Sequence, residues 1–188
     1  MTNQRDQRKE VKPHSAHFGE NEVRVGPYKI FAGGMQYLSR EDFTRFYLLI
    51  PLMQDLRLPL TFGNQHRIFA GSLQDFGGVP QNWSWFLEKV VAHLKSMAEN
   101  GANEKALTFC HAGHGRTGTF LASLIALLES ERETPDPIAA VRSRHCEHAV
   151  ETLEQAEAIF ALRSKALPRK YFNEFNRAPR RSAKGRTK

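Results

Sequence analysis

The chain has 188 residues, 40% of them hydrophobic and 25% charged, the proportions of one ordinary globular domain with a sizeable core. No run approaches the roughly 20 apolar residues of a membrane span, and two cysteines are too few for a disulfide framework, which points to a reducing, cytoplasmic compartment. The net charge of +7 sits at the ends: residues 177–188 carry six basic side chains, residues 1–17 four basic and two acidic ones, and the near-neutral body argues against a general nucleic-acid surface.

Residues 1–17 are polar, without an apolar period, and read as a disordered segment lacking the apolar centre of a signal peptide. Arg24–Ala32 reads as a strand with an early turn, ended by Gly33-Gly34. Ser39 is placed to cap a short helix with Glu41 and Asp42 in its first turn. Phe46–Leu52 is a continuous apolar run that suits a buried strand. Leu56–Asn64, with Pro59 and Gly63, is a loop, and Arg67–Ala70 a short strand. Asp75-Phe76-Gly77-Gly78-Val79-Pro80 is rich in turn residues.

From Trp83 to Glu99, apolar residues at three- and four-residue spacing (Phe86, Leu87, Val90, Val91, Leu94, Met97) predict an amphipathic helix, stopped at Asn100-Gly101. Ala106–Phe109 is an apolar strand, and Thr119–Leu128 an apolar helix. Thr134-Pro135-Asp136-Pro137 breaks the chain, with Pro137 suited to the first turn of a helix over 138–144. A further helix is expected over 152–165. Beyond Pro168 the pattern fades, although Tyr171, Phe172 and Phe175 can pack back on the body. Strands alternating with helices indicate an α/β layer fold.

The chemistry concentrates in the segment between that apolar strand and that apolar helix: Cys110-His111-Ala112-Gly113-His114-Gly115-Arg116-Thr117-Gly118. A helix N-terminus presents free N–H groups and a positive dipole end, and glycines let successive N–H groups point inward as a nest for an anion. The same field favours the thiolate of a cysteine placed there, and Arg116 can grip two phosphate oxygens with its planar fork. Nucleophile and oxyanion clamp thus surround one phosphorus atom. No Gly-Lys-Ser/Thr follows the glycines, so this is not a nucleotide-binding P-loop.

Cys-x5-Arg-Thr-Gly between strand and helix resembles the signature loop of the cysteine-dependent protein tyrosine and dual-specificity phosphatases, and its glycine pattern most resembles the compact dual-specificity branch. The resemblance covers roughly residues 24–165. It implies a phosphotyrosine-phosphatase-like α/β fold, with a central mixed, mostly parallel sheet flanked by helices, spanning residues 18–176 between the 1–17 segment and a basic, disordered 177–188 tail. It implies phosphomonoester hydrolysis through a phosphocysteine, with no cofactor and no metal. The loop positions His111, Ala112, Gly113, His114, Gly115 and Arg116 would bind the phosphate.

Further roles follow from the same resemblance. Asp75, 35 residues before Cys110, stands where the family's acid loop supplies the proton for the leaving oxygen, and it is preferred over Asp42 and Asp55. Glu151-Thr152-Leu153-Glu154-Gln155 matches the distal segment whose glutamine, Gln155 here, positions the hydrolytic water. The Thr117 hydroxyl would donate to the Cys110 sulfur. The sequence departs from the family pattern twice: the acid loop has one extra glycine before Pro80, and Phe109 stands where the family has a histidine that helps hold the loop, which implies slower turnover. Cys146 reads as a buried small side chain, with a redox role beside Cys110 as the alternative. His111 and His114 fall where relatives acting on phosphoinositides carry lysines. The implied partner is a phosphorylated protein, with phosphoinositide as the alternative substrate and anionic lipid or nucleic acid as a contact of the tail. A catalytically silent phosphate-binding module and an RNA 5′-phosphatase are the remaining alternatives.

Overall fold

The structure, a computed structural model, describes residues 18–53, 66–70, 73–100 and 104–177. The 1–17 segment, the loop over 56–64 with Asp55 before it, Gly101 and the tail beyond Arg177 lie outside the described residues. The strand expected over 24–32 proves to be two. β1 (Phe18–Val25) and β2 (Tyr28–Gly34) form an antiparallel hairpin turning at Gly26-Pro27. Gly26 has φ +56, and a Cβ there would lie 2.8 Å from the Leu128 Cβ, so glycine is needed for both conformation and space. Gly33 and Gly34 therefore belong to β2 rather than ending it.

β3 (Leu48–Pro51) and β5 (Ala106–Cys110) follow the expected apolar runs, while β4 is only His66–Arg67, shorter than the strand expected over 67–70. The sheet order is β1-β2-β5-β3-β4. β5 runs parallel to β2 and β3, and β4 runs parallel to β3, so the hairpin is the antiparallel pair in a mostly parallel sheet. β5 is central and buried on both faces, which is why its sequence is continuously apolar. Alternation along it sends Leu107 and Phe109 to a small cluster with Phe43, Phe46 and Leu49, while Ala106 and Cys110 join the main core on the other face. Phe109 is fully buried there, edge-on to Phe43 with ring centroids 5.2 Å apart.

Six helices are described. α1 (Arg40–Thr44) is closed by a reciprocal cap, Asp42 N to Ser39 Oγ at 3.2 Å and Ser39 N to Asp42 Oδ2 at 2.8 Å. α2 (Trp83–Glu99) buries Trp83, Phe86, Leu87, Val90, Leu94 and Met97, the expected stripe less Val91 and with Trp83 added. The Trp83 indole donates to Ser123 Oγ at 3.1 Å, tying α2 to α3 (Gly115–Leu128). α3 is buried over almost its whole length, between β5, α4 (Pro137–Arg144) and α5 (Leu153–Ala161). Arg163 satisfies its last turn, donating to the carbonyls of Ala126 (2.9 Å) and Glu129 (2.8 Å).

α6 (Arg169–Arg177) is a helix that periodicity did not announce. Its one fully buried aromatic, Tyr171, donates its hydroxyl to Asp136 at 2.8 Å, and Glu174 pairs with Arg142 at 2.7 Å. Burial, together with the acceptor Asp136, pushes the Tyr171 phenol far above its ordinary range.

Candidate active site

The turn from β5 into α3 carries the Cys-x5-Arg segment. Cys110 ends the strand, buried to 3% exposure, and Gly113 N donates to its Sγ at 3.2 Å. Gly113 has φ +84, and a Cβ there would lie 2.9 Å from the Gly33 carbonyl carbon, so only glycine fits. The carbonyls of the loop are satisfied from outside it. His111 O accepts from Gln36 N at 3.2 Å, Gly113 O from His145 Nε2 at 2.8 Å, and Gly115 O from Thr119 Oγ1 at 2.7 Å. The loop is therefore anchored by the single 3-10 turn (Met35–Tyr37) after β2, by the residue after α4 and by α3 itself.

Arg116 lies in the first turn of α3 and is nearly buried, its Nε without a hydrogen-bond partner. Its Nη2 is 3.0 Å from Asp75 Oδ1, which brings the expected acid onto the expected phosphate clamp from a segment 35 residues upstream of Cys110. The acid is the open partner, its side chain 59% exposed against 9% for the guanidinium. Phe76, next to it, holds φ +53, an uncommon conformation for a bulky residue, and its ring is exposed.

Gln155 has no exposed surface, and its amide spans two segments. Nε2 donates to Gly77 O at 3.1 Å on the acid loop, and Oε1 accepts from Glu151 N at 2.9 Å. The glycines of the acid loop lie against α5, where a Cβ on Gly78 would sit 3.2 Å from Glu154 Cβ. The same stretch after α4 braces the signature loop. A Cβ on Gly118 would lie 2.5 Å from Ala149 Cβ, and the Glu151 carboxylate occupies the space beside Gly115. Val150, β-branched, is held at φ +65, with its carbonyl and that of Ala149 accepting from Arg142 at 3.3 and 3.0 Å.

Two expectations change. Thr117 does not donate to the Cys110 sulfur; its Oγ1 is buried without a hydrogen-bond partner, and the sulfur is served by Gly113 N. The His114 side chain, as distinct from its backbone N–H, is engaged outside the loop, its Nδ1 3.3 Å from Cys146 Sγ and its ring edge-on to His148 at 5.7 Å between centroids, while His111 is exposed. Cys146 is buried as expected, and burial pushes its thiol up, away from reactivity. Among the described residues no three His, Cys, Asp or Glu side chains converge as a metal site.

Glu151-Thr152 reads in the sequence as structural support or a helix start, and Glu151 lies beside Gly115; His145 and Gln36 were missed as supports of the loop. His145 is 7% exposed, and burial pushes its imidazole down against the raising effect of the Gly113 carbonyl, so the ring is neutral and donates through Nε2–H. No spacing signal marks it, because its partner is 32 residues away.

Residues 75–163, from the acid to just past α5, match the protein-tyrosine phosphatase family model. The fold is that of solved phosphatases. Tk-PTP in its active form superposes with a TM-score of 0.56 at 19% identity, covering 78% of this chain and 99% of that one. Kinase-associated phosphatase with its catalytic cysteine replaced by serine gives 0.58 at 13% identity, covering 77% and 93%. The segment 75–163, which holds the Cys-x5-Arg loop, is that of the protein-tyrosine phosphatase family. Another similar fold, PTPMT1 in complex with PI(5)P, gives a TM-score of 0.52 at 15% identity, covering 72% and 90%. Two curated relatives, the uncharacterized proteins MJECL20 and MJ0215 of Methanocaldococcus jannaschii, are 38% and 45% identical over 81 and 56 residues, or 43% and 30% of this chain. The aligned regions span 51% and 33% of those relatives' own lengths.

Proposed function

We propose that this protein hydrolyses phosphomonoesters through a phosphocysteine intermediate, with phosphotyrosine, phosphoserine or phosphothreonine proteins as substrates. The observation that carries the reading is the Asp75–Arg116 contact at 3.0 Å, which joins a candidate general acid to the guanidinium beside the candidate nucleophile. In the first step the Cys110 thiolate forms an S–P bond, the P–O bond to the substrate breaks, and Asp75 gives its proton to the leaving oxygen. Arg116 and the inward N–H groups of the 111–116 loop stabilise the charge on the non-bridging oxygens. In the second step water attacks phosphorus, Asp75 takes its proton, and the S–P bond breaks to return the thiolate and release phosphate. No step calls on a metal or cofactor. A chemistry that runs on a free thiol suits a reducing compartment.

The dual-specificity reading rests on the glycine pattern of the loop. A second substrate reading, phosphoinositide hydrolysis, draws on the exposed His111 at the loop and on PTPMT1, a fold relative crystallised with PI(5)P. The deciding experiment is phosphate release by wild type and Cys110→Ser from an aryl phosphate, a panel of phosphopeptides and soluble phosphoinositides, in the presence of a chelator. Turnover abolished by Cys110→Ser supports the thiolate mechanism, and the favoured panel names the substrate class. Full activity in Cys110→Ser would overturn the mechanism. An inert wild type that still binds phosphopeptide would make the protein a phosphate-binding module.

A further inference from the structure

A loop that turns its N–H groups toward a bound anion must turn its carbonyls the other way, because a trans peptide is planar with its N–H and C=O opposed. None of the described peptide bonds is cis. In this protein the outward carbonyls meet protein rather than water, so each needs a donor. Two of them are served by other means: the backbone N–H of Gln36, in the single 3-10 turn after β2, reaches His111 O, and Thr119 Oγ1 reaches Gly115 O within α3. The carbonyl at the crown of the loop, Gly113 O, is served by one long-range side chain, His145 Nε2 at 2.8 Å.

We propose that His145 is a positioning residue of the phosphate-binding loop, fixing the Gly113–His114 peptide so that the His114 N–H points at the substrate phosphate. The inference deepens the phosphatase reading and rests on it. Three observations support the assignment. The imidazole is nearly fully buried, so the bond is shielded from water and holds one geometry. Gly113 stands at φ +84 with no Cβ to limit its backbone freedom, so an outside restraint is what keeps the peptide in this orientation. Phe109, the residue before the nucleophile, points into the opposite core cluster and has no polar atom to offer the loop. The chain segment that delivers His145 also delivers Ala149 to Gly118 and the Glu151 carboxylate to Gly115, so the histidine is one strut of a brace along the loop.

The probe is inorganic phosphate, its dissociation constant read from protection of Cys110 against iodoacetamide, with the labelled cysteine identified by peptide mass. This readout needs no turnover. Phosphate is expected to bind His145→Phe at least about tenfold more weakly, the scale of losing one aimed N–H donor, while His145→Gln, whose amide N–H falls close to the imidazole Nε2–H, recovers most of the affinity. A His145→Phe protein that unfolds at the wild-type temperature and binds phosphate as wild type does would overturn the proposal, as would a folded His145→Gln no better than His145→Phe. Imidazole ¹⁵N spectra of the wild type, with His145 assigned by its loss in His145→Gln, decide the matter even if His145→Phe does not fold. The neutral Nε2–H tautomer is expected at pH 7, and a proton on Nδ1 with Nε2 bare would refute the assignment. A wild type that binds phosphate without hydrolysing any ester would sink the enzyme reading and leave His145 in place.

Discussion

Asp75 Oδ1 lies 3.0 Å from Arg116 Nη2, with the carboxylate open to solvent and the guanidinium buried. The group assigned to protonate the leaving oxygen is therefore paired with the group assigned to bind the phosphate. Both cannot keep that contact once a phosphate dianion enters, because the anion competes for the same guanidinium. In the proposed reaction, substrate binding is therefore expected to release the acid at the moment it is needed.

That competition makes a prediction with two opposite signs. Asp75→Asn should bind inorganic phosphate more tightly than wild type, by roughly fivefold at most, since an ion pair with one exposed partner is worth no more than about 1 kcal/mol. The same variant should hydrolyse an alkyl phosphate about 10²- to 10⁴-fold more slowly and lose the basic limb of its pH profile, because the leaving oxygen departs unprotonated. Isothermal titration and a pH–rate series measure the two effects. Weaker phosphate binding in Asp75→Asn would mean that the ion pair does not compete with substrate.

Gln155 is expected to hold the acid loop in place. Its amide joins Gly77 O to Glu151 N, between Phe76 at φ +53 and Val150 at φ +65. Gln155→Leu keeps the volume and removes both bonds, leaving a half-buried carbonyl and a half-buried N–H without their partner at a cost of about 1 kcal/mol each. Hydrogen exchange should quicken at the amides of residues 76–78, and kcat should fall more than substrate binding weakens, since the acid is displaced while the Cys110–Arg116 loop is not. Unchanged exchange at 76–78 would remove Gln155 from this role.

The sequence made the loop legible because its chemistry is contiguous: Cys110, three glycines and Arg116 lie within nine residues, and the flanking apolar runs mark strand and helix. Asp75 was picked out by the resemblance of its segment to the family's acid loop, 35 residues before Cys110. The hairpin of β1 and β2 was read as one strand because Gly26-Pro27 interrupts the pattern so briefly, and Phe18–Val25 alternates with polar residues. α6 escaped because polar long-range partners, Asp136 and Arg142, do much to hold it, and such partners leave no period in the sequence. His145 escaped for the same reason: its partner is a loop carbonyl 32 residues away, and a backbone acceptor leaves no residue-type signal for its donor.

Gly34 tests how closely the sheet edge fits the loop. A Cβ there would fall 2.6 Å from the Ala112 carbonyl carbon and 2.7 Å from its oxygen. Both are backbone atoms and cannot swing aside as a side-chain end would. Gly34→Ala should destabilise the fold by about 1–3 kcal/mol and displace the loop, so that activity falls even where the protein remains folded. Thermal melts and aryl phosphate turnover below the melting range check the two parts. A Gly34→Ala protein with wild-type turnover would show that the loop accommodates the methyl.

Glu129 governs acid stability far from the chemistry. Its carboxylate accepts from Arg144 Nη1 at 2.5 Å and Nη2 at 3.0 Å, from Gly26 N at 3.0 Å and from the Thr134 hydroxyl. Burial pushes the carboxyl up, but these donors outweigh it and hold the group down at about 2, against an ordinary value of 4.5. The folded state is thus harder to protonate than the unfolded one. The stabilisation is fully present above about pH 4.5 and is lost as pH falls toward 2. Glu129→Gln should lower stability at pH 7 by about 2 kcal/mol, the scale of a hydrogen bond to a charged group, and the difference from wild type should shrink steadily below pH 4.5. Urea melts of both proteins between pH 7 and pH 2.5 measure that difference directly. A gap that stayed constant over the whole range would mean the Glu129 charge contributes nothing, and that the variant loses only shape.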